Sequence, residues 1–210
     1  ETDLLGMPGE AFSYSNISSS LAGYLGVLAA GGEPDALYEG YADLLQERVL
    51  DPIGMETAVI YASEAQRNPN YAQSYVLEGK TAVLSETYDF DGDAMAPSGS
   101  LKANVMEMAL YISTQLNGGV APNGNRVVSS ENLKETWNPY LENYGMGWEI
   151  VTHNGMEMIL HTGSYDDFSS VIGFFPEEEI GFVILLNSEE AGDVLTEDAP
   201  YVLADILLEQ

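Results

Sequence analysis

The apolar and polar positions from Glu157 to Asn187 read as three strands with two turns. Met158-Ile159-Leu160-His161 leads into Thr162-Gly163-Ser164. Phe168 to Phe175 follows, and Pro176-Glu177-Glu178-Glu179 precedes Ile180-Gly181-Phe182-Val183-Ile184-Leu185-Leu186. Proline presets φ and has no N–H for a ladder, so Pro and three carboxylates between two apolar runs mark a turn. The last run is apolar at nearly every position, as in a strand covered on both faces. The pattern predicts an α+β fold, with an antiparallel β-sheet flanked by helices on both faces.

Upstream, the apolar spacing changes to that of helices. Ser18 to Ser20 offer N-caps, Leu21, Tyr24, Leu25 and Leu28 share one face, and Gly31-Gly32 ends the run. A second helix is expected from Pro34-Asp35, with Leu37, Tyr41, Leu44, Leu45 and Val49 on its apolar face and a stop at Asp51-Pro52-Ile53-Gly54-Met55. Residues 56–103 are the least periodic; Tyr71 to Tyr75 and Lys80 to Ser85 read as a small hairpin around Glu78-Gly79. Asn104 to Leu116 is the clearest helix: Asn104 and Glu107 resemble a capping box, and Val105, Met108, Ala109, Ile112 and Leu116 form its stripe. Ser129-Ser130 caps a short helix to Trp137. Tyr144 to Val151 opens the sheet with Met146, Trp148 and Ile150 on one face, and Ala199 to Leu208 closes the chain as a helix. The expected organisation is one domain in two parts. Residues 1–140 form a helix-rich lobe, and residues 141–210 form the antiparallel sheet with the closing helix.

Composition narrows the function classes. The chain has 210 residues, 45% of them hydrophobic, which is enough to bury one core. It has no Cys, so disulfides, thiolate nucleophiles and Cys-zinc sites are excluded. Asp and Glu number 34 against 6 Lys and Arg, for a net charge of -28. A surface of that sign repels a phosphate backbone and anionic lipid, so nucleic-acid binding is not expected. The charge reads as a solvated acidic surface, or as adaptation to high salt, where counter-ions screen self-repulsion. No apolar run approaches the roughly 20 residues of a membrane span, and Glu1-Thr2-Asp3 shows no signal-peptide pattern.

Several catalytic templates fail. There is no G-x-S-x-G elbow, no P-loop and no G-x-G-x-x-G. The two histidines, His153 and His161, do not form H-x-x-x-H. Asp89-Phe90-Asp91-Gly92-Asp93 looks like a calcium loop, but Gly92 falls at the fourth position and Ser100 at the twelfth, where an EF-hand needs Gly at the sixth and Glu at the twelfth. A solvated acidic turn is expected there, and no metal or cofactor.

What remains is Tyr14-Ser15-Asn16 and His161-Thr162-Gly163. Each alone reads as packing, a cap or a strand end. They belong, however, to an ordered set: Pro8-Gly9, Tyr14-Ser15-Asn16, Asp51-Pro52-Ile53-Gly54-Met55, Pro97-Ser98-Gly99-Ser100-Leu101, Tyr144-Gly145-Met146-Gly147-Trp148, His161-Thr162-Gly163-Ser164 and Gly181 to Asn187. This order resembles the serine β-lactamase and penicillin-binding-protein superfamily. The nearest branch is the class C β-lactamase-like one, with its esterases, D-aminopeptidases and D,D-carboxypeptidases. The resemblance implies a β-lactamase/transpeptidase-like fold and a place in the periplasm, outside the cell or in the cell envelope. It implies that Tyr14 exchanges protons with a serine nucleophile and the leaving group, and that Asn16 offers its amide to the substrate's amide or to the nucleophile's neighbours. His161, where many β-lactamases have Lys, would line the pocket and hydrogen-bond the substrate's carboxylate or Tyr14, while Thr162 and Gly163 would shape the strand edge. The backbone N–H of Ser164 would be an oxyanion donor, a contribution of about 3 kcal/mol. Asn16-Ile17-Ser18 also fits a glycosylation sequon, but it overlaps this site.

The departure from the family pattern is the nucleophile. The residues three before Lys80, Lys102 and Lys134 are Leu77, Gly99 and Glu131, so the chain has no Ser-x-x-Lys. The expectation is therefore the C-terminal part of a longer serine hydrolase that cleaves an amide, ester or β-lactam of a small molecule or peptide. Alone it should be inactive, because an unactivated phenol with a pKa of about 10 is a poor base near neutral pH. The alternative is a non-catalytic module that binds peptidoglycan-type peptides or a protein partner along a strand edge. An exposed sheet edge would also favour self-association.

Overall fold

The structure is a computed structural model that describes residues 6–208 apart from residues 8, 87 and 88. Pro8 and Glu1-Thr2-Asp3, which figure in the sequence reading, lie outside the described residues.

Residues 149–186 form a four-stranded antiparallel sheet in the order β3-β4-β5-β6, and residues 75–84 form a separate two-stranded hairpin, β1-β2. The main sheet comprises β3 (Glu149–His153), β4 (Met156–Tyr165), β5 (Phe168–Phe175) and β6 (Ile180–Leu186). The two turns predicted from Glu157 to Asn187 are present. Asp166 and Asp167, both at positive φ, make the tight turn between β4 and β5, the pattern of a hairpin turn that matches strand twist. The hairpin strands are β1 (Tyr75–Glu78) and β2 (Thr81–Leu84), so the first lies later than the expected Tyr71 to Tyr75.

Side chains alternate across the sheet as a period of two requires. Met158, Leu160, Val171, Phe175 and Phe182 pack with Ala204 of helix α8 (Glu189–Leu208) on one face. On the other face, Ile159 and Phe174 pack with Trp148 and with Ile112 of helix α6 (Val105–Leu116). Helices therefore cover both faces, which is why the strands carry apolar residues at consecutive positions. α8 starts at Glu189, well before the expected Ala199, and holds Pro200 in its interior. Its far end is tied to the β3–β4 hairpin by Asp205, 2.6 Å from His153 Nε2 and 2.8 Å from Asn154 Nδ2.

The remaining helices are α1 (Asn16–Ala29), α2 (Leu37–Leu45), α3 (Asp51–Ile53), α4 (Ala62–Ala65), α5 (Ala96–Gly99) and α7 (Ser130–Thr136). α2 continues through a π-helical turn, Gln46–Leu50, directly into α3. α1 is capped by Ser15, whose side chain accepts from the Ser18 N–H, so it begins earlier than the Ser18–Ser20 caps suggest. Its leucine face is also not the buried one: Leu21 is 57% and Leu25 54% exposed, while Ser20 and Val27 are buried. The reason is close approach. A Cβ on Gly23 would sit 2.4 Å from Pro97, so the small-residue face lies against α5 and the leucines turn outward.

α6 follows its predicted bounds, and Asn104 accepts from the N–H groups of Met106 and Glu107 as its N-cap. Glu107 does more than the capping box predicts. It is buried and takes the Thr57 N–H at 2.6 Å, the Thr57 hydroxyl at 3.0 Å and the Asn104 amide at 2.8 Å. Val105 and Ala109, read as core, are exposed instead. They line a groove of about 320 Å³ with Ile112, Leu116 and Gly181 to Val183.

Candidate active site

The site begins where α1 starts. Tyr14 sits just before the Ser15 cap, so capping fixes the backbone that carries the phenol. Its ring lies 6.0 Å from the His161 imidazole of β4 and 5.9 Å from the Tyr144 ring. Phe12 stacks at a tilt 5.1 Å from Tyr144. Phe12, Tyr14 and Tyr144 line an open groove of about 510 Å³, and His161 is not among its lining residues. The groove is lined by residues 12–15 and 144–147 together with Ser18, Ser19 and Ala22 of α1.

Tyr144 is the residue the sequence reading left without a role. Its hydroxyl is 2.8 Å from His161 Nε2, and His161 Nδ1 faces the Thr162 carbonyl oxygen. The loop that carries Tyr144 is pinned: Gly145 N–H donates to the Trp148 carbonyl at 2.8 Å, and Met146 N–H donates to the Thr136 carbonyl at 2.9 Å. Gly145 cannot be larger, since its Cβ would stand 2.4 Å from that same Thr136 oxygen. β3 therefore begins at Glu149 and not at Tyr144, and Met146 is 66% exposed while Trp148 is buried. The two glycines that flank Met146 were the signal that this stretch is a loop.

The expected site residues separate into two groups. Tyr14 and His161 come together through their rings. Asn16 is the first residue of α1 and exposed; Thr162, Gly163 and Ser164 continue along β4, paired with Val171, Ser170 and Ser169. None of these four is among the groove-lining residues. Beyond Ser164, Tyr165 enters a second polar cluster. Its hydroxyl is 3.1 Å from Asp89 Oδ1 and 3.0 Å from Asp93 Oδ2, and Lys102 Nζ is 2.7 Å from Asp89 Oδ2. Asp89 is thus a buried, paired carboxylate, its side chain 5% exposed, and not part of a solvated turn. Protonated Tyr165 is favoured, chiefly by burial and then by these carboxylates, which push its pKa up from 10.

Burial acts on other phenols in the same direction. It pushes Tyr144 up to about 12, with Tyr14 and Glu149 adding to the shift, and pushes Tyr111 up to about 12. A phenol that keeps its proton longer when folded binds more protons than the unfolded chain above pH 10, so stability falls with pH there. The contribution is whole below pH 10 and lost between pH 10 and about 12. Urea midpoints should be level up to that window and drop steeply inside it.

A sequence model of the Beta-lactamase family matches residues 1–205. The chain belongs to the Beta-lactamase family. It is 28% identical over 185 residues to Protein flp of Staphylococcus aureus (strain MW2), a match that covers 87% of the chain and 35% of that protein. It is 20% identical over 185 residues to Unguisins hydrolase ungD' of Aspergillus campestris (strain IBT 28561), covering 85% of the chain and 33% of that protein. The chain spans about a third of the length of these curated relatives. Among solved structures, the octameric penicillin-binding protein homologue from Pyrococcus abyssi aligns with a TM-score of 0.79 at 24% identity, over 97% of this chain and 44% of that one. A D-stereospecific amidohydrolase from Streptomyces sp. aligns with a TM-score of 0.69 at 18% identity, over 94% of this chain and 55% of that one. These structures share the fold of this chain, an α+β arrangement of antiparallel sheet and helices.

Proposed function

We propose that this chain is the tyrosine-bearing part of a β-lactamase-like serine hydrolase, and that the whole protein cleaves an amide, ester or β-lactam through an acyl-serine intermediate. The observation that carries the reading is the meeting of the Tyr14 ring, which lines the groove, with the His161 ring of β4, 6.0 Å between ring centres. In this reading Tyr14 passes the proton between nucleophile and leaving group, and Asn16 offers its amide to the substrate. Thr162 and Gly163 shape the β4 edge beside His161, and the Ser164 N–H is one oxyanion donor. The nucleophile comes from a Ser-x-x-Lys outside this sequence, and the chain by itself takes no acyl group. The test extends the protein upstream of Glu1 to include the first Ser-x-x-Lys, adds a fluorophosphonate or a chromogenic β-lactam, and looks for the adduct by mass spectrometry. An adduct on that serine is expected, formed at least about 100-fold more slowly in Tyr14→Phe. No adduct on any serine would overturn the reading and favour a non-catalytic peptide-binding module.

Self-association belongs to the same reading. β6 is an edge of the sheet, and Leu185 on it is 39% exposed. Edges of this kind template pairing between chains. Light scattering on this chain should show dimers or larger species; a stable monomer at high concentration would refute it.

A further inference from the structure

We propose that Met146, with Phe12 and Tyr144, forms a subsite for a large apolar group such as a benzyl side chain, and that Met146 sets the groove's preference for ligands carrying one. That this ligand is the substrate rests on the hydrolase reading above; the subsite itself does not.

The argument starts from the backbone under Met146. Its N–H donates to the Thr136 carbonyl at 2.9 Å, and the Gly145 N–H donates to the Trp148 carbonyl at 2.8 Å. Just beyond, the Ile150 N–H donates to the Asn143 carbonyl at 2.8 Å. Gly145 fits only because it lacks a Cβ, and Gly147 holds φ at +83°, a conformation open to glycine. Trp148 then enters the core, its ring 5.3 Å from that of Phe174. The loop is thus fixed on both sides of Met146, yet the Met146 side chain is 66% exposed. A large apolar side chain on a fixed base, turned to water and lining a groove, is a contact surface for something else.

Its neighbours have matching chemistry. The segment before α1 and the loop bring Phe12, Tyr14 and Tyr144 to the same groove. The Tyr144 ring is held by Phe12 at 5.1 Å and by the Tyr14 ring, edge-on, at 5.9 Å. Aromatic rings and a thioether suit one another and an apolar guest, because sulfur is polarizable and methionine adapts its shape. α1 contributes Ser18, Ser19 and Ala22, so hydroxyls and a short side chain complete the lining. A groove of about 510 Å³ with apolar walls and a few polar groups is of the kind that takes small molecules. A ligand with an apolar group and a neutral amide or ester satisfies both kinds of lining. Its amide or ester then shares the groove with the Tyr14 phenol.

The experiment is calorimetric titration of this chain with N-acetyl-phenylalanine amide and N-acetyl-alanine amide. Both are neutral, so the chain's net charge of -28 does not separate them. The phenylalanine amide should bind at least about tenfold more tightly, a discrimination that apolar pockets reach. In the chain labelled with ¹³C-methyl methionine, the bound ring should move the Met146 methyl upfield; Met146→Leu assigns that signal among the eight. Met146→Ser should cut the preference at least about threefold. Met146→Leu, which keeps an apolar side chain of similar volume, should retain it within about twofold. Equal binding of the two amides, or binding of neither, overturns the subsite. An unchanged preference in Met146→Ser, or a loss in Met146→Leu as large as in Met146→Ser, overturns the role of Met146. The upstream-extended protein tests the substrate half, with the p-nitrophenyl esters of the same two N-acetyl amino acids. Its kcat/KM should favour the phenylalanine ester at least about tenfold, less so in Met146→Ser. An acyl-serine adduct without that ordering overturns the substrate half alone. The calorimetric preference with no adduct on any serine supports the subsite and overturns the hydrolase reading.

Discussion

Phe174→Ala should unfold a large share of the molecules. Phe174 is fully buried at the centre of the cluster on the α6 face, with Trp137 at 5.1 Å and Trp148 at 5.3 Å between ring centres. It links α6, β4 and the segment before β3 in one contact set with Ile112 and Ile159. Deleting a buried ring of this kind costs about 3–5 kcal/mol, through lost transfer energy and the cavity left behind. A domain is typically stable by only about 5–15 kcal/mol, so the loss is a large fraction of the total. Phe174→Leu, which keeps most of the volume, should cost far less. Both tryptophans of the chain lie in or beside this cluster, so urea titration followed by their fluorescence reads it directly. A midpoint for Phe174→Ala within error of wild type would mean that the two faces of the sheet are not packed as described.

Asp89→Ala should be the most damaging change outside the apolar core. The carboxylate accepts from Lys102 at 2.7 Å and from Tyr165 at 3.1 Å, with its side chain 5% exposed. Lys102 is itself only 20% exposed and also donates to the Ile60 carbonyl at 3.2 Å. Removing one partner leaves the ammonium part-buried and unpaired, at a cost of about 3 kcal/mol. Removing both need not cost much, because the pair's attraction largely offsets its own desolvation. The double variant Asp89→Leu with Lys102→Met should therefore be more stable than Asp89→Ala alone, a non-additive result that a double-mutant cycle of melting curves will show. Strict additivity would mean that the two groups do not interact. The same substitution loosens the end of β4 just past Ser164, so Tyr165 should lose its ordered environment.

The sheet was legible because its signals are local. Pro176 and the carboxylates after it mark a turn, and the consecutive apolar residues of β5 and β6 mean two covered faces. α6 and α7 were legible for the same reason, since Asn104 and Ser129 are caps whose partners lie within three residues. Misreadings fall where burial depends on a distant neighbour. Leu21 and Leu25 have core spacing, but Gly23 and Ser20 are what let α1 approach Pro97 and Met95. Asp89 sits in a run of carboxylates that reads as solvated, and only Lys102 and Tyr165, far along the chain, make it a buried pair. Glu107 looked like half of a cap and is held by Thr57 as well as by Asn104.

At the candidate site the division is the same. Tyr14, His161 and their motifs could be picked from the order of short patterns along the chain. Tyr144 could not, since nothing near it in sequence says that its hydroxyl meets an imidazole 17 positions away. The sequence by itself determined strands β4 to β6 with their turns, helices α6 and α7, the family and the net charge, because period, caps, turns and charge are properties of neighbouring residues. Only the tertiary structure decided which apolar face is buried, which carboxylate is paired and which ring nitrogens of His161 are occupied. Those depend on distances between segments that the chain brings together only when it folds.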